Sequence, residues 1–289
     1  MKTLNNFIRK LFYLDKWYLK IFSKNTDDIL PAKFICDINI KSKYTFYADP
    51  FILSEENGVI EILVEKFNYF SSKGIISKII LKINEKKHLV QDILIERYHL
   101  SFPYVISQNK FMPEASESLK TRVYFQGSSG IESSILHNKS CIDPALFNFD
   151  RQEYLFFTAR KYPNNHLKVY NLKKKSMVKN VSSNYKRMAG NFFLVNGSYF
   201  RPSQTSYKCY GDSVIISKVK EISDKVYKEH DLFTIAPKLY ESKAVGLHHY
   251  SVGSKFIVLD INVPVFSLIA LPLKLLQRFK IYVRTNKSI

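Results

Sequence analysis

Short apolar runs separated by polar turn clusters dominate the middle of the chain. Clusters of turn residues occur at residues 55–58, 148–150 and 196–198, and such clusters between apolar runs of strand length are typical of antiparallel strands. Few segments have the 3.6-residue periodicity of an amphipathic helix. The pattern therefore predicts an all-β fold.

One strand pattern recurs five times along the chain. Each unit has a small or polar residue, often followed by proline, then an apolar strand, a turn and a second apolar strand ending in a polar residue. The units begin at Ala48, Ser101, Ile142, Met188 and Gly246. Their spacing of roughly 40 to 60 residues is typical of four-stranded propeller blades. We predict a five-bladed β-propeller over residues 40–262, with an irregular β-sandwich as the alternative.

The two ends of the chain differ from this repeat. Residues 1–30 mix aromatic and basic residues, and residues 263–289 form an amphipathic segment with Lys274, Arg278 and Lys280 spaced along it. We interpret neither as a signal peptide or a membrane span. We expect short helical extensions on a single domain of residues 1–289. The C-terminal one would be either a packed helix or an interfacial helix on anionic lipid.

The propeller prediction gathers polar residues from distant parts of the chain at one central channel. The candidates are Asp49, Asp143 and His248 from first strands, Glu65, Glu114, Arg201 and Gln204 from the strands behind them, with Arg187 and Tyr210 nearby. His248 and His249 should face opposite sides of a strand, with His248 in the channel. Asp before Pro also starts turns and strands, so Asp49 and Asp143 could instead cap their blades.

Several of these segments resemble one known family. The runs FYADPFIL, IDPALFNFDRQEYLFFTA, RMAGNFF and GLHHYS are similar to the five-bladed propeller at the N-terminal region of plant glucosamine inositolphosphorylceramide transferases. The same propeller occurs in bacterial proteins encoded for surface-polysaccharide assembly. The resemblance covers about residues 40–260. It implies a propeller that acts on glycans.

The acidic ADP and IDP strands are more distantly similar to those of glycoside hydrolase family 43. That similarity implies that Asp49 occupies the position of the general base and Asp143 that of the carboxylate that tunes the acid. Hydrolysis also needs a carboxylic acid. The strand that should supply it offers Arg201 and Gln204 instead, which disfavours a hydrolase.

These observations favour a glycosyltransferase of cell-surface polysaccharide biosynthesis, for example of lipopolysaccharide or capsule. It would move a sugar from a phosphate-activated donor, such as a nucleotide sugar, to a glycan or lipid-linked acceptor. We assign Asp49 as catalytic base, Asp143 and Glu114 to shaping the site, and Arg201 to the donor phosphate. Glu65, Arg187, Gln204, Tyr210 and His248 are assigned to substrate binding. The alternatives are a non-catalytic glycan-binding or scaffolding propeller and, third, a family 43-like hydrolase.

Composition narrows the partners further. The chain has 44 Lys and Arg against 25 Asp and Glu, a net charge of +19, which predicts an anionic partner. No nucleic-acid reading motif is present, so a membrane surface is the expected partner, with a location in the cytoplasm, peripheral to the inner membrane. Cys36, Cys141 and Cys209 have no zinc or disulfide spacing. We predict no cofactor or metal, and the sequence gives no support for a divalent cation.

Overall fold

The computed structural model describes residues 9, 11–118, 120–125, 131–137, 141–159, 166–207 and 209–286. Their strands form five separate sheets of antiparallel strand pairs, with one parallel pair at the edge of the fourth sheet. The sheets are the blades of a five-bladed β-propeller. The fold class predicted from the repeat is therefore confirmed.

The strands are numbered β1 to β22 along the chain. Blade 1 contains β3 (Thr45–Glu56), β4 (Val59–Asn68), β5 (Lys73–Lys82) and β6 (Lys87–Leu94). Blade 2 contains β7 (Ser101–Ser107), β8 (Lys110–Glu114), β9 (Lys120–Phe125) and β10 (Ile131–His137). Blade 3 contains β11 (Cys141–Phe149), β12 (Gln152–Ala159), β13 (His166–Asn171) and β14 (Ser176–Met177).

The last two blades are less regular. Blade 4 contains β15 (Asn180–Ser182), β16 (Arg187–Met188), β17 (Phe193–Val195), β18 (Ser198–Gln204), β19 (Val214–Ile222) and β20 (Val226–Ile235). Blade 5 contains β1 (Tyr13–Lys24), β2 (Pro31–Ile38), β21 (Tyr250–Val252) and β22 (Phe256–Phe266). Helix α1 (Ala270–Asn286) and two 3-10 turns, Ser116–Ser118 and Pro237–Leu239, complete the described elements.

Blade 5 is closed by both ends of the chain. Strand β1 pairs with β22 along its whole length, from Tyr13 opposite Phe266 to Ser23 opposite Phe256. The segment Tyr13–Lys24, which we predicted as part of an extension, is therefore an integral propeller strand. Its lysines interrupt the apolar pattern that indicates a strand, and its pairing with β22 and β2 is visible only in the tertiary structure. The predicted N-terminal helix falls largely on residues outside the described ranges.

The C-terminal helix is present as predicted, but it begins later than the predicted tail. Residues 263–266 still belong to β22, and α1 follows after a short turn. Among the described residues, no helix has the length and apolar character needed to cross a bilayer.

Apolar side chains fill the spaces between neighbouring blades. The largest cluster joins blades 1 to 4 and includes Phe51, Phe102, Phe147, Phe156 and Tyr227. Rings in this cluster pack edge to face, as Phe156 and Tyr227 do at 4.9 Å between centroids, a favourable geometry for aromatic pairs. This packing holds the inner strands at fixed positions around the axis.

Candidate functional site

The inner strands of the first three blades are bulged at equivalent positions. The bulges lie at Asp49-Pro50, Phe102-Pro103 and Asp143-Pro144, where the strand register shifts. The residue before each proline has a positive φ, 49° at Asp49, 45° at Phe102 and 49° at Asp143. A bulge removes its backbone N–H from the ladder, so that group needs another acceptor.

Carboxylates from the preceding blade accept these N–H groups. The Asp49 N–H donates to Asp260 Oδ2 at 3.0 Å, and the Phe102 N–H donates to Asp49 Oδ2 at 3.1 Å. The Asp143 N–H donates to Glu114 Oε2 at 3.0 Å. Each carboxylate thus joins two blades at the propeller axis. Asp49 therefore caps the next blade rather than its own, while its other oxygen faces two histidines. The functional interpretation of Asp49 and Asp143 stays a prediction.

The second strands supply polar residues at matching register positions. Glu65 lies opposite Ala48, Glu114 opposite Ser101, Thr158 opposite Ile142 and Gln204 opposite Arg187. In blade 5 the corresponding residue is Asp260, whose N–H donates to His249 O. Asp260 was missing from the predicted site, although it ends the second strand of the fifth repeat unit just as Glu65 ends that of the first.

His248 lies at the centre of this arrangement. Its Nδ1 is 2.6 Å from Asp260 Oδ2, and its Nε2 is 3.7 Å from Asp49 Oδ1. Trp17, which sequence reasoning missed, stacks on the imidazole at 3.9 Å between centroids. His249 also approaches Asp49, with Nδ1 3.6 Å from Oδ1. Residues 247–249 precede β21 and are not in a strand, so strand alternation does not set their directions. The His248 ring packs against Trp17 and Tyr210, and the His249 ring packs against Phe51 and Phe102.

The two ends of this chain of carboxylates differ in protonation. Burial alone would raise the pKa of Asp49, but His248, His249 and the Phe102 N–H bring it down to about 2. Burial disfavours the charged form of His248, yet Asp260 and Asp49 outweigh it and raise its pKa above the ordinary value. Both shifts favour the charged forms, a carboxylate at Asp49 and an imidazolium at His248.

Glu65 and Glu114 behave in the opposite way. Burial, reinforced by the charge of Asp49, raises the pKa of Glu65 well above its ordinary value. Burial and the neighbouring Asp143 raise the pKa of Glu114 to about 8. A carboxyl group with a raised pKa can carry a proton at neutral pH, which is a requirement for acid–base work in a site.

Glu65 lines a cavity of about 240 Å³, here called the Glu65 cavity. Besides Glu65, its wall consists of Asp15, Trp17, Phe46, Ala48, Phe67, Tyr69, His99, Tyr210, His248, Lys274 and Gln277. His99 Nδ1 accepts the Gly74 N–H at 2.9 Å, so its ring proton is on Nε2, which lies 3.7 Å from Glu65 Oε1. A Cβ at Gly74 would lie 2.5 Å from Glu65 Oε1, so only glycine leaves room for this carboxyl.

A second cavity, here called the Arg187 cavity, has a volume of about 350 Å³. Its wall consists of Asn184, Tyr185, Lys186, Arg187, Gln204, Thr205, Ser206 and Tyr207, so no described wall residue is acidic. Arg187 is fixed by two bonds to Asp143, Nε to Oδ2 at 2.6 Å and Nη2 to Oδ1 at 2.9 Å. Gln204 Nε2 donates to the same carboxylate at 3.3 Å. The cavity therefore offers cations, amides and hydroxyls.

Tyr210 lies between the two cavities. The Arg187 guanidinium is 5.1 Å from its ring centroid, and the His248 ring meets it edge-on at 5.5 Å. The next residue, Gly211, has a φ of 59°, and a Cβ there would lie 2.4 Å from His248 Cβ. Because glycine has no Cβ, the backbone next to Tyr210 can pass close to His248.

The predicted site residues other than Arg201 fall into three groups, one at each cavity and one at the axis. Glu65, Tyr210 and His248 line the Glu65 cavity, and Arg187 and Gln204 line the Arg187 cavity. Asp49, Asp143 and Glu114 lie at the axis, and their side chains line neither of these cavities.

Arg201 is not part of the site, which corrects the prediction that it holds donor phosphate. It is completely buried in blade 4, with Nε and Nη2 bonded to Glu229 at 2.7 and 2.6 Å, and Nη2 also bonded to Ser183. The reason is strand geometry, because Arg201 and Gln204 are three residues apart on β18 and so project from opposite faces. Arg187 is the arginine at the axis.

One group of axis residues has the composition of a metal site. Asp49, His248 and Asp260 offer three ligand atoms within 4.8 Å of one another. Both carboxylate oxygens of Asp260 already accept hydrogen bonds. Its Oδ1 accepts the N–H groups of His248 and His249, and its Oδ2 accepts the N–H of Asp49. A cation could bind only by displacing these bonds, so the donor set does not fit a metal site well.

The fold and site define a five-bladed propeller with a carboxylate-rich axis and two polar cavities beside it. The chain belongs to the family described as glucosamine inositolphosphorylceramide transferase 1, N-terminal, which matches residues 27–246. The predicted family is therefore confirmed.

Curated relatives match part of the chain. It is 28% identical over 154 residues to glucosamine inositolphosphorylceramide transferase 1 of Oryza sativa subsp. indica, and 29% identical over 155 residues to that of Arabidopsis thaliana. Both matches cover 46% of this chain but only 21% and 20% of the relatives. The chain thus matches about a fifth of their length.

A solved glycoside hydrolase structure shares the fold. The catalytic domain of a Coprinopsis cinerea GH62 α-L-arabinofuranosidase superposes with a TM-score of 0.54 at 8% identity, covering 85% of this chain and 97% of that domain. A GH43_1 enzyme from Xanthomonas citri gives a TM-score of 0.45 at 9% identity, covering 78% of this chain and 91% of that one. At such identities the likeness concerns the fold alone.

Proposed function

We propose that this propeller is a glycosyltransferase that moves a sugar from a phosphate-activated donor to the hydroxyl of a lipid-linked or glycan acceptor. The observation that carries the proposal is the pair of cavities beside Tyr210, one containing Glu65, whose pKa burial raises, and the other lined by Lys186 and Arg187 with no described acidic wall residue. The curated relatives are named glucosamine inositolphosphorylceramide transferase 1, and inositolphosphorylceramide is a lipid with a sugar-alcohol phosphate headgroup. A role in the assembly of cell-surface polysaccharide at the cytoplasmic side of a membrane is part of the same proposal.

The donor phosphates bind in the Arg187 cavity. Lys186 is exposed there, and Arg187 is held in position by Asp143, so its remaining N–H groups are pre-oriented toward the cavity. Arginine and lysine are the usual partners of phosphate oxygens. The rings of Tyr185 and Tyr207, 6.3 Å apart, provide a surface for a nucleobase.

The acceptor hydroxyl binds beside Glu65. In the transfer step the acceptor oxygen attacks the anomeric carbon, the bond from that carbon to the phosphate oxygen breaks, and the phosphate leaves as an anion. The acceptor proton passes to Glu65, which must be ionised at that moment, and its raised pKa makes it the stronger base once ionised. Asp49, our predicted base, has a pKa of about 2, which makes it a weak one.

A non-catalytic glycan-binding propeller is the second candidate. It is favoured by the capping bonds of Asp49 and Glu114, which give these carboxylates a purely structural task. Hydrolysis is less well supported, because it needs two carboxyl groups on either side of one bond. The other carboxylate in the wall of the Glu65 cavity, Asp15, is half exposed and pairs with Arg9.

The donor half of the proposal is tested by calorimetry with uridine and guanosine diphosphate. Lys186→Glu should weaken binding of the preferred diphosphate about tenfold or more, since it replaces one phosphate contact by repulsion. Lys168→Glu, at an exposed lysine of blade 3, is the matched control and should bind as the wild type does. Equal affinity of both variants, or no binding of either diphosphate by the wild type, would contradict the assignment.

The catalytic half is tested by nucleotide release from nucleotide sugars with extracted lipid acceptors. Glu65→Gln should lower turnover by about a hundredfold or more, the usual size of a general-base contribution, with donor binding unchanged. Glu61→Gln, on the same strand and paired with Lys78, is the control. Full turnover in Glu65→Gln refutes the role of Glu65, and donor-independent glycan binding without turnover supports the second candidate.

A further inference from the structure

Helix α1 is oriented in an unusual way on the propeller. Its inner side buries Ala270 and Leu273 and carries Lys274 and Lys280, whose Nζ atoms donate to backbone carbonyls of the propeller at 2.6 and 2.7 Å. Gln277, also on this side, lines the Glu65 cavity. Polar groups thus make much of the contact with the body of the protein.

The outer side of the helix is apolar. It exposes Leu271, Pro272, Leu275, Leu276, Phe279 and Tyr282, which we call the apolar face. Their spacing places them on one stripe. A surface helix normally turns such a stripe toward the core, whereas here Leu275 is 55% and Phe279 64% exposed. The turn before the helix extends the surface with Leu268, 74% exposed.

The charged residues of the helix are all of one sign, because residues 270–286 contain Lys274, Arg278, Lys280 and Arg284 and no Asp or Glu. Lys274 and Lys280 are bonded to the propeller, whereas Arg278 is exposed. An apolar stripe on a helix with an exposed arginine and no acidic residue complements an anionic lipid surface, where the stripe enters the acyl boundary and the guanidinium meets headgroups. A second copy of the chain would instead bring two molecules of +19 together, which like-charge repulsion opposes.

We propose that the apolar face of α1 seats the protein on an anionic lipid bilayer, with the helix lying in the plane of the interface. Because Lys274 and Gln277 of the same helix form part of the wall of the Glu65 cavity, docking brings that cavity next to the headgroups. The consequence that a lipid-linked acceptor enters from the membrane side rests on the proposed function. The docking itself does not.

The test is sedimentation of the full chain with vesicles of phosphatidylcholine, with and without phosphatidylglycerol. The wild type should bind the anionic vesicles. The double variant Leu275→Glu with Phe279→Glu should bind at least about tenfold more weakly, because two charges replace inserted apolar groups. The control is Leu89→Glu with Leu239→Glu, at residues 58% and 71% exposed outside α1, which adds the same charge and should bind like the wild type.

Further measurements distinguish membrane docking from dimerisation and from loss of the fold. Arg278→Gln should weaken binding to the phosphatidylglycerol vesicles more than to pure phosphatidylcholine. All of these positions are exposed, so thermal unfolding should be unchanged. Equal sedimentation of both double variants would overturn the proposal, as would a lipid-free dimer by light scattering that only the α1 variant dissociates. Diphosphate binding without vesicles reports on the proposed function separately.

Discussion

Replacing Glu114 by glutamine should make the protein more stable, and increasingly so as the pH rises. Glu114 is buried and accepts the Asp143 N–H, and burial together with the Asp143 charge raises its pKa from 4.5 to about 8. The folded protein therefore binds this proton more tightly than the unfolded chain. The resulting stability is fully present below about pH 4.5 and is lost as the pH rises through about 8.

The size of the effect follows from the difference between the two pKa values. At about 1.36 kcal/mol per unit of pKa, a rise from 4.5 to about 8 costs the ionised folded state about 5 kcal/mol. Between pH 5 and pH 8 the wild type should lose about 3 kcal/mol of this contribution. The glutamine keeps an oxygen for the Asp143 N–H but does not ionise, so Glu114→Gln should not show this loss.

Urea unfolding, followed through the fluorescence of Trp17, the single tryptophan, measures the difference. The free energy of unfolding of Glu114→Gln minus that of the wild type should grow by about 3 kcal/mol from pH 5 to pH 8. Glu61→Gln controls for the removal of one carboxylate elsewhere. A difference that stays constant over this range would refute the assignment of a proton to Glu114.

Three further perturbations test the arrangement around the site. Arg201→Ala should destabilise the protein by about 3–5 kcal/mol in urea unfolding, because it leaves the buried Glu229 charge unpaired, with diphosphate affinity per folded molecule unchanged. Gly74→Ala should cost about 1–3 kcal/mol, since its Cβ would lie 2.4 Å from a backbone carbonyl oxygen. His248→Gln should increase Trp17 fluorescence at pH 7, because a protonated imidazole stacked on the indole quenches its fluorescence. In the wild type, a pH titration should show this fluorescence rising at a pH above the ordinary pKa of histidine.

Each of these three predictions would be contradicted by one specific result. Loss of diphosphate binding in a folded Arg201→Ala protein would return Arg201 to the site. Unchanged stability in Gly74→Ala would show that the backbone beside Glu65 can move. Fluorescence in the wild type that rises below pH 6 would show that the carboxylates around His248 do not hold its proton.

The repeat unit carried most of the correct predictions. The X-Pro pairs recur in the first three blades and a polar residue recurs near the end of the second strands, so Asp49, Asp143, Glu65 and Glu114 could be identified at the axis from the sequence. Asp260 has the same signal and could have been found. Arg201 could have been excluded by its odd spacing from Gln204, because neighbouring positions on a strand alternate between faces.

Other features had no local signal. Strand β1 is recognisable only through its pairing with β22, more than 200 residues away, and with it Trp17 joins the site. The opposite pKa shifts of Asp49, which is lowered, and of His248 and Glu114, which are raised, depend on burial and on distances of a few ångströms between different blades. Neither is a property of any single segment.

The sequence by itself determined the propeller, its number of blades, its family and the acidic character of its axis, because these follow from a pattern repeated along the chain. The tertiary structure decided which of the axis residues face a cavity, which cap a neighbouring blade, and that α1 turns its apolar side outward. Those outcomes depend on how five separate sheets and the two chain ends pack together. Packing sets the burial and neighbours of each charge, and these in turn set its pKa and its accessibility.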